Sequence, residues 1–147
     1  MRELTIQDLI DKAEAVLRPR LVGDRWFGDV AAAIETESGA VYVGVCIDTG
    51  ATGCCAEQAA GAAMVTAGET QVRRVVAVWR DSRAGADSPL CVLPPCGVCR
   101  RFFVDVDPAN ADAIIVLGAT ETLPLRELLP LHGWSAQPAR PMDYPDG

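Results

Sequence analysis

Two short runs, Cys55-Ala56-Glu57 and Pro95-Cys96-Gly97-Val98-Cys99, restrict the fold of this chain more than anything else in it. If their thiols serve one metal ion, two segments distant in sequence must meet at a point, and the chain between them must go out and return. Three thiols and a carboxylate are the parts of a catalytic zinc centre: three protein ligands, a fourth position open to water, and a base beside that water. A Cys-x-x-Cys pair alone is shared with redox motifs and structural zinc ribbons. The upstream Cys-x-Glu unit narrows the reading, because a structural site has no need of a carboxylate two residues after a ligand.

The local patterns say where these motifs sit. Thr5 with Asp8 three residues on makes a capping-box pattern, and Ile6, Leu9, Ile10, Ala13, Val16 and Leu17 follow at helical spacing, so the first element is an amphipathic helix. Val30 to Ile34 and Val41 to Val45 are apolar runs around the turn-like Glu35-Thr36-Glu37-Ser38-Gly39, which predicts a hairpin. After the loop Gly50-Ala51-Thr52-Gly53, the Ala-rich stretch from Cys54 to Ala67 predicts a helix stopping at Gly68, with Cys55 and Glu57 in its first turn. Val72 to Trp79 reads as a buried strand, Asp81 to Pro95 as a polar, proline-containing loop, and Cys96 to Val104 as a helix with both of its cysteines in the first turn. Ala113 to Leu117 reads as a strand and Leu125 to Leu129 as a short helix closed by Pro130. Helix, two strands, helix, strand, helix, strand, helix implies a mixed sheet with helices on both faces.

Composition bounds the partners. At 147 residues the chain suits one domain whose core closes without disulfides. One catalytic domain is expected over residues 1–134, followed over 135–147 by an extended tail containing Pro138, Pro141 and Pro145. A net charge of −7 argues against nucleic acid, whose binding rests on Lys and Arg contacts to phosphate, and favours a small-molecule substrate. Arg73, Arg74, Arg80 and Arg83 are read as solvated edges rather than a basic patch. No apolar run approaches the roughly 18 residues that span a bilayer, and the start of the chain leads into an amphipathic stretch rather than a signal-peptide core, so a cytoplasmic protein with no membrane partner is expected. Six cysteines then read as metal ligands and buried thiols. Cys46, Cys54 and Cys91 lie outside the two motifs.

Cys-x-Glu followed by Pro-Cys-x-x-Cys is the three-cysteine form of the zinc deaminase signature. Cys55, Cys96 and Cys99 are the candidate ligands, and Glu57 the group that takes a proton from the attacking water and returns it to a leaving amine. Two helix N-termini converge on the metal, each bringing partial positive charge and unpaired N–H groups. Three thiolates need such help, and Arg100 is a candidate to supply more of it beside the sulfurs. The competing reading is a closed structural site, with Cys54, Cys91, Cys46 or His132 as fourth ligand.

The runs from Gly39 through Gly44 to Cys55-Ala56-Glu57, then Pro95 to Arg100, then Leu125-Arg126-Glu127-Leu128-Leu129-Pro130, resemble the small cytidine deaminase family, most closely its blasticidin-S deaminase branch. The resemblance covers nearly the whole chain apart from the tail. It implies an α/β fold, a three-layer α/β/α sandwich with a five-stranded mixed sheet, assembled as a homotetramer with active sites near subunit interfaces. By position it implies Cys55, Cys96 and Cys99 as Zn2+ ligands, Glu57 as proton shuttle, and the Ala56 backbone near the substrate carbonyl. Phe27, Cys46, Asp48 and Trp134 are assigned with Ala56 to substrate binding.

The chain also departs from the family. Where cytidine deaminases, and the blasticidin type with them, place Asn-x-Glu, this chain has Cys46-Ile47-Asp48, and a thiol replaces an amide poorly as donor and acceptor. Gln58 stands where Arg usually follows Cys-Ala-Glu. Three functions remain open at this point: hydrolytic deamination of a pyrimidine nucleoside or nucleoside antibiotic, the same chemistry on a sugar-free aminoheterocycle, and a non-catalytic zinc-stabilised binding protein.

Overall fold

The capping box predicted at Thr5 forms as read: the Thr5 hydroxyl accepts from the Asp8 N–H at 3.0 Å and the Asp8 carboxylate accepts from the Thr5 N–H at 2.8 Å. It opens α1 (Ile6–Glu14), whose Leu9, Ile10 and Ala13 are buried. The computed structural model describes residues 2–85 and 87–130. His132, Trp134, the expected domain boundary at 134 and the tail over 135–147 lie outside the described residues.

A small antiparallel ribbon of β1 (Arg20–Val22) and β2 (Arg25–Phe27) follows. The predicted hairpin is β3 (Val30–Thr36) and β4 (Val41–Val45), paired antiparallel from Ala31↔Val45 to Glu35↔Val41. Then come α2 (Ala56–Thr66), β5 (Val72–Trp79), β6 (Cys91–Leu93), α3 (Gly97–Val106), β7 (Ile114–Val116), β8 (Thr122–Pro124) and α4 (Leu125–Leu128). The sheet runs β4-β3-β5-β7-β8, with β6 also on β5.

The strand count corrects the expectation of five: this sheet has six. The reason lies in the length of β5. Its first half pairs in parallel with β7 at Arg74↔Ile114 and Val75↔Ile115, and its second half outruns that strand. The edge left over at Ala77 to Trp79 is taken by β6, antiparallel, in a stretch that Pro89, Pro94 and Pro95 make look like loop.

The strands bury both faces, and alternation separates two cores. Ala32, Ile34, Val75, Ala77 and Ile115 face Ala60 and Met64 of α2, Phe103 of α3 and Leu125 of α4. Ala31, Ala33, Val76, Val78 and Val116 face Leu9, Ile10 and Ala13 of α1. The fold is therefore the expected three-layer α/β/α sandwich. Glycine sets how close the layers come. A Cβ on Gly44 of β4 would lie 2.4 Å from the Ala60 nitrogen, and one on Gly61 of α2 would lie 2.5 Å from the Phe102 ring of α3. Buried polar groups are satisfied: Glu35 pairs with Arg74 at 2.5 Å, and the Asn110 side chain bonds the Val72 N–H and the Thr70 and Phe103 carbonyls.

Candidate active site

Two helix starts meet on the α2/α3 side of the sheet. Cys55 and Cys96 are both N-cap residues, with extended backbones (φ −67°, ψ 154° and φ −68°, ψ 169°) that turn each chain into its helix. Cys99 lies one turn into α3 and Glu57 in the first turn of α2. An antiparallel bridge between Ile47 and Cys54, with both N–H···O distances 2.9 Å, closes the loop after β4 and delivers Cys55 to its place.

The three sulfurs converge. Cys55 Sγ is 3.7 Å from Cys96 Sγ, and Cys96 Sγ is 3.6 Å from Cys99 Sγ. Among the described residues they form the one group of Cys, His, Asp or Glu side chains arranged to hold a metal ion. The Glu57 carboxylate sits beside them, with Oε2 3.6 Å from Cys99 Sγ. Cys99 is fully buried, Glu57 is 6% exposed, and Cys96 is open to solvent.

Burial sets the electrostatics. It raises the Glu57 carboxyl above the usual carboxylate range. Burial, and then the Glu57 charge, pushes the Cys99 thiol far up, and burial likewise raises Cys55. Cys96 goes the other way. Burial opposes it, but the N–H groups of Cys99 and Val98 at the start of α3, together with the neighbouring thiols, draw its pKa down. A cation among the sulfurs would favour the thiolate of all three.

A cavity of about 190 Å³ adjoins the sulfurs, lined by Val30, Cys46, Cys55, Ala56, Glu57, Leu93, Pro94 and Cys96. Cys46 and Ala56, both assigned to substrate, are in this lining, and Phe27 and Asp48 are not. Phe27 belongs to β2, and Asp48 is 62% exposed and pairs with Arg25 at 3.6 Å. Trp134 lies outside the described residues. Arg100 donates to the Pro95 carbonyl at 2.8 Å and the Leu128 carbonyl at 2.9 Å, tying the start of α3 to α4. The Gln58 side chain accepts from the Cys55 N–H at 3.3 Å.

The sequence reading did not assign Val30, Leu93 and Pro94 to the site. Val30 could have been found as the first residue of its strand. Leu93 and Pro94 depended on recognising β6. The reading also did not place Asp29 against Cys46, whose thiol donates to Asp29 Oδ1 at 3.1 Å. Burial, and then Asp29, raises the Cys46 pKa, which keeps this thiol a donor.

No protein-family model matches the chain. Over 104 residues it is 32% identical to the blasticidin-S deaminase of Bacillus cereus, covering 69% of this chain and 74% of that one. Its fold is similar to the cytidine deaminase of Burkholderia pseudomallei at 22% identity, with a TM-score of 0.69 and coverage of 87% of this chain and 98% of that chain. The cytidine deaminase of Bacillus anthracis is similar at 25% identity, with a TM-score of 0.67 and coverage of 86% and 87%.

Proposed function

The chain belongs to the cytidine deaminase-like family of its blasticidin-S deaminase relative, and on that premise we propose that it hydrolyses an aminated pyrimidine and releases ammonia with the help of zinc. The observation that carries the reading is the meeting of three thiols and one buried carboxylate at the edge of a ring-sized cavity. The donor set fits the ion. Zinc bound tetrahedrally at about 2.3 Å from each thiolate separates its sulfurs by about 3.8 Å, close to the 3.6 and 3.7 Å found here. Cys55, Cys96 and Cys99 would hold it. Zinc in this position supplies the Lewis acidity that makes water a nucleophile at neutral pH.

The protein's own groups do the rest. Val30, Leu93 and Pro94 give the cavity an apolar wall against which a pyrimidine ring can lie, with its amine-bearing carbon toward the sulfurs. Glu57 takes the proton of the attacking water on a carboxylate oxygen and delivers it to the departing amine, so that water enters and ammonia leaves. Its burial beside the sulfurs places it to accept and return that proton. The N–H groups at the start of α3, which lower the Cys96 thiol, offset part of the charge of three thiolates.

The reading includes a cytoplasmic location and a homotetramer. No helix among the described residues is long and apolar enough to cross a membrane. The test is ammonia release by the zinc-loaded protein from cytidine, cytosine and blasticidin S, with Glu57→Gln as control. The variant is expected to keep one zinc per chain and to lose about a hundredfold to ten-thousandfold in rate. Undiminished turnover by Glu57→Gln would sink the assigned role.

A further inference from the structure

Cys-x-x-Cys at the start of a helix is also the arrangement of dithiol oxidoreductases, and Cys96 and Cys99 have the surroundings that this chemistry needs. The two thiols differ in access. Cys96 is exposed and belongs to the cavity lining, whereas Cys99 is fully buried. An oxidant in solution therefore meets Cys96 first. The buried sulfur then stands 3.6 Å behind it, close enough to displace whatever has joined to Cys96.

The backbone favours this pair over the alternative. Cys55 Sγ is nearly as close to Cys96 Sγ, at 3.7 Å, but Cys55 belongs to the start of α2. A bond of about 2.05 Å between those two sulfurs would draw together helices that already touch, since a Cβ on Gly61 of α2 would lie 2.5 Å from the Phe102 ring of α3. Cys96 and Cys99 share the first turn of α3, so their sulfurs can meet without any movement of α2. Gly97 between them leaves room for the adjustment, with nothing within 4 Å of its Cβ position, and Val98 is 63% exposed. The remaining thiols are turned to oxygen atoms instead: Cys46 donates to Asp29, Cys54 to the Cys55 carbonyl and Cys91 to the Pro89 carbonyl.

We propose that Cys96 and Cys99 close to a reversible disulfide when a low-molecular-weight disulfide is the oxidant, and that this bond switches the metal centre off. The proposal rests on the zinc reading of the three sulfurs. The Cys96 sulfur attacks one sulfur of the oxidant, forming a mixed disulfide and releasing one small thiol. The Cys99 sulfur then attacks the Cys96 sulfur, the second small thiol leaves, and the protein disulfide is complete. Two electrons pass from the protein sulfurs to the oxidant. The two protons of the released thiols come from the protein thiols, or from water where the sulfurs began as thiolates. Two of the three donors are then lost, and Cys55 alone cannot complete a zinc site. An excess of reduced thiol reverses the exchange and restores the ligand set.

The experiment treats the full-length, zinc-loaded protein with oxidised glutathione, follows released zinc with a chromogenic chelator, and locates disulfides by peptide mapping after free thiols are blocked. Loss of the zinc together with a bridge between Cys96 and Cys99 is expected, both reversed by dithiothreitol and added zinc. A variant carrying Cys54→Ser and Cys91→Ser is expected to lose zinc at the parent's rate. A bridge through Cys55, Cys54 or Cys91 would overturn the proposal, as would glutathione left on Cys96 without a bridge, or zinc retained after the bridge has formed. Mapping of the reduced, chelator-stripped protein after the same treatment reads the bridge independently of zinc. Ammonia release from cytidine by the reduced, zinc-loaded protein reports separately on the deaminase reading. Turnover of cytidine without a bridge between Cys96 and Cys99 removes the switch and keeps that reading.

Discussion

Cys55 and Cys96 occupy the same place in two helices, yet their thiols respond in opposite directions: Cys55 is raised by burial, and Cys96 is lowered by the N–H groups of its own helix start. The identity of the residue was readable from the motif; its microenvironment was not, because burial and the neighbouring thiols are set only once the two helices have packed. Asp8 is a contrasting case in which sequence sufficed, since both partners of its capping box are local. Hydrogen bonds from the Thr5 backbone, then the Thr5 hydroxyl and Arg2, hold its carboxyl below the usual carboxylate range. A carboxyl depressed in the folded state stabilises the fold above its unfolded value, and that contribution disappears as pH falls through the folded one. The melting temperature of the native sequence is therefore expected to fall more steeply than that of Asp8→Asn between about pH 4 and pH 2, around and below the ordinary Asp value. Parallel curves would remove Asp8 from the acid response.

Elements with strong internal patterning were found where they were expected. The helix α1 carries a helical period, and the hairpin β3–β4 and the strand β5 carry apolar runs, long enough to read. The elements that were missed are three residues long: β1, β2, β6 and β8 have too few positions to show alternation, and β6 is flanked by prolines. They exist because partner edges were available. Two glycines test the packing of the longer elements. Gly44→Ala drives a methyl group into the α2 backbone at Ala60, in the helix that carries Glu57, and is expected to destabilise by about 1–3 kcal/mol. Gly97, between the two cysteines of α3, has nothing within 4 Å of its Cβ position and no positive φ. Gly97→Ala is expected to be neutral or to stabilise by up to about 1 kcal/mol. Denaturant titration of the two variants measures both, and equal destabilisation would contradict the packing argument.

At the scale of the whole molecule, the cluster of Cys55, Cys96 and Cys99 joins two helices that already share a closed core through Ala60, Met64 and Phe103. Chelation is therefore expected to weaken the fold without unfolding it. The melting temperature falls by several degrees, at about 3 °C per kcal/mol for a chain of this size, and returns when zinc is added back. No change on chelation would mean that the three sulfurs hold no ion that favours the folded chain, and would count against the metal reading. The sequence by itself determined which thiols and which carboxylate stand together, the helices that carry them, and the layering of helices over a mixed sheet, because each follows from short-range spacing. Only the tertiary structure decided that the sheet has six strands, that Asp48 turns outward to Arg25, and that Asp29 stands behind Cys46. Those facts depend on which strand edge is left unpaired and on where a glycine turn sends the chain, and neither is set until the distant segments have packed.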